Sequence, residues 1–151
     1  MLTVDQTRRL LRTAEQHAGE PATVALFLLA TTDAIQLQQI CRLDVADVDA
    51  MSGGTSRLAL RLLGGSVLVL PPVVTRQVSA HLAAYPRARE LSAGDGPRRV
   101  PLLRNRVGGR TSPSALGHGI RRIAAGADHD IRSLAHRITP GWLSVVDLFT
   151  W

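Results

Sequence analysis

Asp128-His129-Asp130-Ile131-Arg132-Ser133-Leu134-Ala135-His136 sets a histidine and an arginine three residues apart, close to the predicted start of a helix. That spacing puts imidazole and guanidinium on one helix face, near the positive end where an anion is favoured. A phosphate is the natural ligand, because a guanidinium meets its oxygens with two parallel N–H donors. A lone HxxR on a surface helix reads first as two solvated charges, so the sequence around the pair decides what it means.

Working outward, Ser112-Pro113 is an N-cap followed by a first-turn proline, opening a helix through Ala125 that Gly117 and Gly119 weaken. On the other side, Trp142 to Phe149 reads as a last short helix. Upstream lie a Val107-Gly108-Gly109 turn, a short apolar piece from Val100 to Leu103, and a solvated Arg/Gly/Asp/Pro loop from Pro86 to Arg99. Two β-rich runs, Ser56 to Leu63 and Ser66 to Leu70, flank Gly64-Gly65 and predict a hairpin. Pro72 then serves as the first helical residue for Val73 to Tyr85.

The first third of the chain is helical. Thr3-Val4-Asp5-Gln6 is a capping box for a helix running to about His17, with Leu10, Leu11 and Ala14 apolar. After the Gly19-Glu20-Pro21 break, Ala22 to Ala30 is apolar almost all round, the mark of a core helix. Asp33-Ala34-Ile35-Gln36 is a second box-like start, followed by Leu37, Ile40 and Cys41 at helical spacing, and Asp44 to Asp49 turns into sheet. The expectation is one domain over residues 1–151, mainly α with a small antiparallel β-sheet (α+β).

Charge narrows the function. All 18 basic residues are arginine, which excludes a P-loop lysine, a Schiff-base lysine and a lysine general acid. Residues 1–86 balance seven arginines against seven acids, whereas residues 87–151 carry the whole net charge of +6. Such one-sidedness points to a polyanion, most economically nucleic acid. With only five aromatic residues, stacking on single strands has little support, and contact with a duplex backbone fits better. Arg104, Arg106, Arg110, Arg121 and Arg122 read as solvated charges on a basic face and, with Arg61, are candidates for phosphate contact without base-specific readout.

Other classes recede. The single cysteine, Cys41, sits in an apolar segment and makes no internal disulfide; with no signal pattern at the N-terminus, the cytoplasm is expected. No apolar run approaches a membrane span. The five histidines are too scattered for a metal site, and His129 and His136, seven apart, lack a third ligand, so neither metal nor cofactor is expected. Gly117-His118-Gly119 is not a nucleophile elbow.

The order of these pieces resembles the catalytic domain of the tyrosine recombinases (phage integrases) over nearly the whole chain. Leu2-Thr3-Val4-Asp5-Gln6 is similar to the family's opening "LT-x-E-E/Q" helix. Thr32 to Leu43 followed by Asp47-Val48-Asp49 is similar to "TGLRISELLGLRWxDID", and the hairpin ending in Leu70-Pro71-Pro72 to "KGGKxRxVPL". Thr111-Ser112-Pro113-Ser114-Ala115-Leu116, then Ile120-Arg121-Arg122-Ile123-Ala124 and His129-Asp130-Ile131-Arg132, resembles "LSPSAL…LRRLA…HDLRH". Each motif alone is weak; their shared order carries the resemblance.

The resemblance implies DNA integration and recombination chemistry, in which arginines hold the scissile phosphate while a tyrosine attacks it, leaving a 3′-phosphotyrosine. It also implies that most of that machinery is altered here. His129 and Arg132 match the HxxR box, but the first family arginine falls on Gln36 and the hairpin lysine on Leu63. Arg61 shares Leu63's strand face, yet a guanidinium is too weak an acid to protonate a leaving group. Ser133 stands where a second histidine is usual, and Trp151 corresponds to the later His/Trp position, reading Leu148-Phe149-Thr150-Trp151 against "LLGH". Gln36 is either a remnant phosphate ligand or, as favoured by its neutrality, the end of a capping box begun by Asp33. The one tyrosine, Tyr85, reads as a packing residue.

Set against the family, the sequence lacks the separate N-terminal DNA-clamping domain and the C-terminal segment with the nucleophilic tyrosine. The expectation is therefore a recombinase-like protein that binds duplex DNA and does not cleave it alone. Two alternatives remain at this level: a component of a split recombinase receiving its tyrosine in trans, and a protein-interaction module that kept the fold. The latter is motivated by an apolar end (Trp142, Leu143, Val146, Phe149, Trp151) expected to be exposed and to pair with another chain or self-associate.

Overall fold

The computed structural model describes residues 1–50, 57–85 and 100–151. Its centre is the most apolar stretch of the chain. Helix α2 (Pro21–Thr31) is buried from Ala22 to Ala30 on every side, because four other helices surround it: α1 (Val4–Glu15), α3 (Leu37–Arg42), α4 (Pro72–Ala84) and α5 (Pro113–Ala125). A helix with no polar face cannot sit at a surface. Its few polar groups are satisfied internally: Thr23 Oγ1 donates to the His17 carbonyl (2.9 Å) and Thr31 Oγ1 to that of Phe27 (2.7 Å).

Helix α1 opens on the expected capping box: the Gln6 N–H donates to Thr3 Oγ1 (3.1 Å) and the Thr3 N–H to Gln6 Oε1 (3.0 Å). Thr7, Leu10, Leu11 and Ala14 face the core, and the helix ends at Glu15, short of His17. On α5, Ser112 Oγ accepts from the Ala115 N–H (3.1 Å), with Pro113 in the first turn. Gly119 is there for packing. A Cβ at that position would lie 2.6 Å from the Ala22 Cβ, so only glycine allows α5 to approach α2 this closely.

Three short strands form an antiparallel sheet in the order β1 (Val48–Ala50), β2 (Leu58–Arg61), β3 (Val67–Val69). Val48 pairs with Leu60, and Leu60 in turn with Leu68. The hairpin between β2 and β3 closes with the Leu62 N–H on the Ser66 carbonyl (2.8 Å), so its loop is Leu63-Gly64-Gly65 rather than the two glycines alone. Both glycines carry the positive φ this turn requires, 90° and 86°. The predicted start of β2 at Ser56 and the loop from Pro86 to Arg99 lie outside the described residues.

Three sequence expectations are corrected. Asp33 to Gln36 does not open a helix: α3 begins at Leu37 with Gln36 as its N-cap, and the Gln36 N–H donates to Gln39 Oε1 (2.7 Å). The segment Trp142 to Phe149 is not a helix either. After a 3₁₀ turn at Pro140–Trp142 it runs non-helically across α1 and α2, with the Val146 N–H on the Ala30 carbonyl (2.8 Å) and the Ser144 N–H on Thr7 Oγ1 (3.1 Å). The apolar end is consequently covered. Leu143, Val146 and Leu148 are buried, Trp142 and Trp151 half-buried, and Phe149 and Val145 exposed. No described helix is long and apolar enough to cross a membrane.

A buried histidine, unremarked in the sequence, ties three segments together. His81 on α4 holds the Gly19 carbonyl at Nδ1 (2.8 Å) and accepts the Arg104 N–H at Nε2 (3.0 Å). The Nδ1–H tautomer satisfies both partners. Burial holds its pKa below the usual imidazole value, so the folded ring is neutral. Tyr85 stacks obliquely on it at 4.7 Å, the packing role expected from its sequence position.

Candidate phosphate-binding site

The HxxR stretch forms one turn only, α6 (His129–Arg132), succeeded by a 3₁₀ turn at Ala135–Arg137. A single turn sums few peptide dipoles, so the anion preference expected of a helix start has little support here. What the turn does supply is placement. Ile131 is fully buried and anchors it, while His129 and Arg132 point to solvent. The two side chains meet: Arg132 Nη2 lies 3.4 Å from His129 Nδ1. A guanidinium only donates, so in this contact Nδ1 is the acceptor, and the tautomer that allows it keeps its N–H at Nε2.

The turn is held to α1 by Arg9. Arg9 forms a bidentate pair with Asp130 (Nη1–Oδ1 2.9 Å, Nη2–Oδ2 2.7 Å), reaches Asp128 Oδ2 at 3.2 Å and Asp5 Oδ2 at 3.0 Å. Gln6 Nε2 adds a longer bond to Asp130 (3.4 Å). Hydrogen bonds from Arg9 hold the Asp130 carboxyl down to about 2, and the same bonds raise the Arg9 pKa. Apart from Asp5, the Arg9 partners are 119 and 121 residues away, so no local spacing marks the cluster.

The other site candidates lie apart. Gln36 is exposed at the rim of a groove of about 530 Å³ between the end of α2, the start of α3 and Leu143. No hydrogen bond among the described residues joins it to His129 or Arg132. Trp151 is packed elsewhere: its ring meets Phe27 edge-on at 5.9 Å, Arg8 and Arg12 lie over it at 5.6 and 4.9 Å, and its N–H donates to Glu15 (2.7 Å). That indole N–H is already engaged within the protein. Leu63, at the hairpin tip, is 76% exposed.

Of the arginines expected to be solvated, Arg104 is buried and Arg110 is exposed but engaged. Arg104 is 8% exposed, with Nε donating to the Pro101 carbonyl (3.3 Å). Arg110 caps the end of α3 from across the chain, donating to the carbonyls of Cys41 (2.9 Å) and Leu43 (3.1 Å) and pairing with Asp44. Last-turn carbonyls lack helical partners, which gives an arginine a structural task there. Its burial in the same region pushes the Cys41 thiol up, in keeping with a core cysteine.

Arg61 is exposed but engaged: Nε and Nη2 meet the Asp49 carboxylate at 2.8 and 2.9 Å, holding that carboxyl below its ordinary range. Arg122 pairs with Glu20 (2.8 Å). Arg106 stands exposed on the rim of a cavity of about 380 Å³ that also meets Tyr85 and His118. Arg121 extends back along α5 toward the bare Gly117. Arg42, not singled out in the sequence, is exposed on a groove of about 800 Å³ between α3 and the hairpin, facing Leu63 and Arg61. Its only sequence signal is a cation at the polar face of an otherwise apolar helical turn.

No family model matches the chain, and no curated protein matches it. Among solved structures it is similar to the crystal structure of XerA recombinase, with a TM-score of 0.63 and 16% sequence identity over 92% of this chain and 45% of that one. At that identity the likeness is one of fold, and this chain spans less than half of the recombinase's length. The chain is thus mainly helical with a three-stranded antiparallel sheet, in a fold similar to that of a tyrosine recombinase.

Proposed function

We propose that the chain is a recombinase-like DNA-binding protein that holds duplex phosphate at Arg132 and does not break the strand by itself. One observation carries this reading. Arg132 presents an exposed guanidinium with no carboxylate partner among the described residues, on a turn fixed by buried Ile131. A fixed, uncompensated guanidinium beside an imidazole N–H is suited to phosphate oxygens. Arg42, Arg106, Arg121 and Arg137 have no ion-pair partner among the described residues either, and they supply further charge for sequence-independent backbone contact.

The proposed inactivity rests on what stands at two family positions. Gln36 offers an amide where a guanidinium would match the charge growing on the phosphate. Losing one such donor costs on the order of 3 kcal/mol of transition-state stabilisation. Leu63 offers no proton for a leaving oxygen. Fluorescence anisotropy with a labelled duplex tests the binding claim: affinity should be salt-steep, indifferent to sequence, and about tenfold weaker in Arg132→Ala. A nicked suicide duplex tests the rest; an Arg132-dependent covalent protein–DNA adduct would overturn the inactivity.

A further inference from the structure

Asp128 and Arg132 are four residues apart in one turn, with the Arg132 N–H on the Asp128 carbonyl (2.8 Å). An acid four residues before an arginine on a helical turn is its usual ion-pair partner. Here that pair does not form. The Asp128 carboxylate is held by Arg9 instead (3.2 Å), and so is that of Asp130 (2.9 and 2.7 Å). Among the described residues, the Arg132 side chain meets His129 Nδ1 alone. The two acids flanking the HxxR histidine are therefore both drawn to Arg9 on α1.

We propose that Arg9 is a positioning residue that keeps Arg132 open to phosphate by taking the carboxylates of Asp128 and Asp130, a role that rests on the phosphate reading of Arg132. Two physical effects follow from one guanidinium. The carboxylates no longer compete with phosphate for Arg132, and their negative charge is compensated before the polyanion arrives. Without Arg9, Asp128 is left four residues before Arg132, at ion-pair spacing on the same turn, and the site quenches itself.

The test compares duplex binding of four variants in the full chain at low salt. Arg9→Gln should weaken binding about tenfold, and Arg9→Gln combined with Asp128→Asn and Asp130→Asn should restore it to within about twofold. A merely structural role for Arg9 would not be rescued, since the triple change leaves the link to α1 broken. With Arg9 intact, Asp128→Asn/Asp130→Asn should bind at least as tightly as the unaltered protein, because one more cation is uncovered. This variant decides the matter even where Arg9→Gln fails to fold. Unrescued loss in the triple variant, or weaker binding by the double one, overturns the proposal. If Arg132→Ala leaves binding unchanged, the phosphate reading itself has failed, an outcome distinct from a failure of Arg9 alone.

Discussion

His81 shows how much a single side chain holds in this fold. Its two ring nitrogens satisfy a carbonyl at Gly19 and an N–H at Arg104, groups 62 and 23 residues away. Only the neutral ring can do both. Its pKa is depressed in the folded state, so the unfolded chain binds the proton more readily, and stability rises with pH. The contribution should be complete above the ordinary histidine value of about 6.5 and be lost as pH falls from there toward the folded value. Urea midpoints measured from pH 8 to pH 5 should fall in the unaltered protein. They should flatten in His81→Gln, whose amide also donates and accepts.

Gly119 makes the opposite point about reading residues. In the sequence it counts against the helix; in the structure it is what lets α5 meet Ala22. Gly119→Ala improves helix propensity yet is expected to destabilise by about 1–3 kcal/mol through overpacking, seen as a lower thermal midpoint. Propensity is local and was legible; the close approach is a property of two helices and was not.

At the scale of elements, legibility followed locality. The Thr3 capping box, the proline starts and the Gly-Gly hairpin declare themselves within a few residues. Helices α1, α4 and α5 and a β2–β3 hairpin are present where expected, with α1 ending at Glu15 and a three-residue hairpin loop. Failures came where distant partners decide. The apolar spacing from Trp142 to Phe149 suits a helix, but Pro140, Gly141 and the bond from Val146 to Ala30 make it a strap over α1 and α2 instead. Its last residue tests that assignment. Trp151 packs on Phe27 with Arg8 and Arg12 over its ring, and its N–H donates to Glu15. Trp151→Ala should lower stability by about 2 kcal/mol by thermal denaturation, less than the roughly 3–5 kcal/mol for a fully buried aromatic. A neutral result would mean that the strap is not docked. The α6 turn belongs here as well: the HxxR pair was visible, whereas Arg9, which shapes its electrostatics, acts from across the chain.

For the whole molecule, the charge asymmetry was plain in the sequence, whereas the engagement of several described arginines within the fold was not. Arg104 is buried, Arg110 caps the end of α3, Arg61 and Arg122 sit in ion pairs, and Arg9 is absorbed by three acids. Among the described residues, Arg132 beside His129 and Arg12, Arg42, Arg57, Arg76, Arg106 and Arg137 are exposed without an ion-pair partner, and Arg121 is half-buried. Each phosphate neutralised by such a residue contributes about −0.9 to the slope of log affinity against log salt on duplex DNA. The count of open arginines therefore has a direct readout.

The most direct test of phosphate binding at Arg132 is that slope, taken from anisotropy titrations of a labelled duplex over a range of salt with the unaltered protein and Arg132→Ala. The expected result is salt-steep binding on any duplex sequence, with the variant about tenfold weaker and its slope shallower by about one. Absence of duplex binding at low salt, or an Arg132→Ala protein with unchanged affinity and slope, would contradict it.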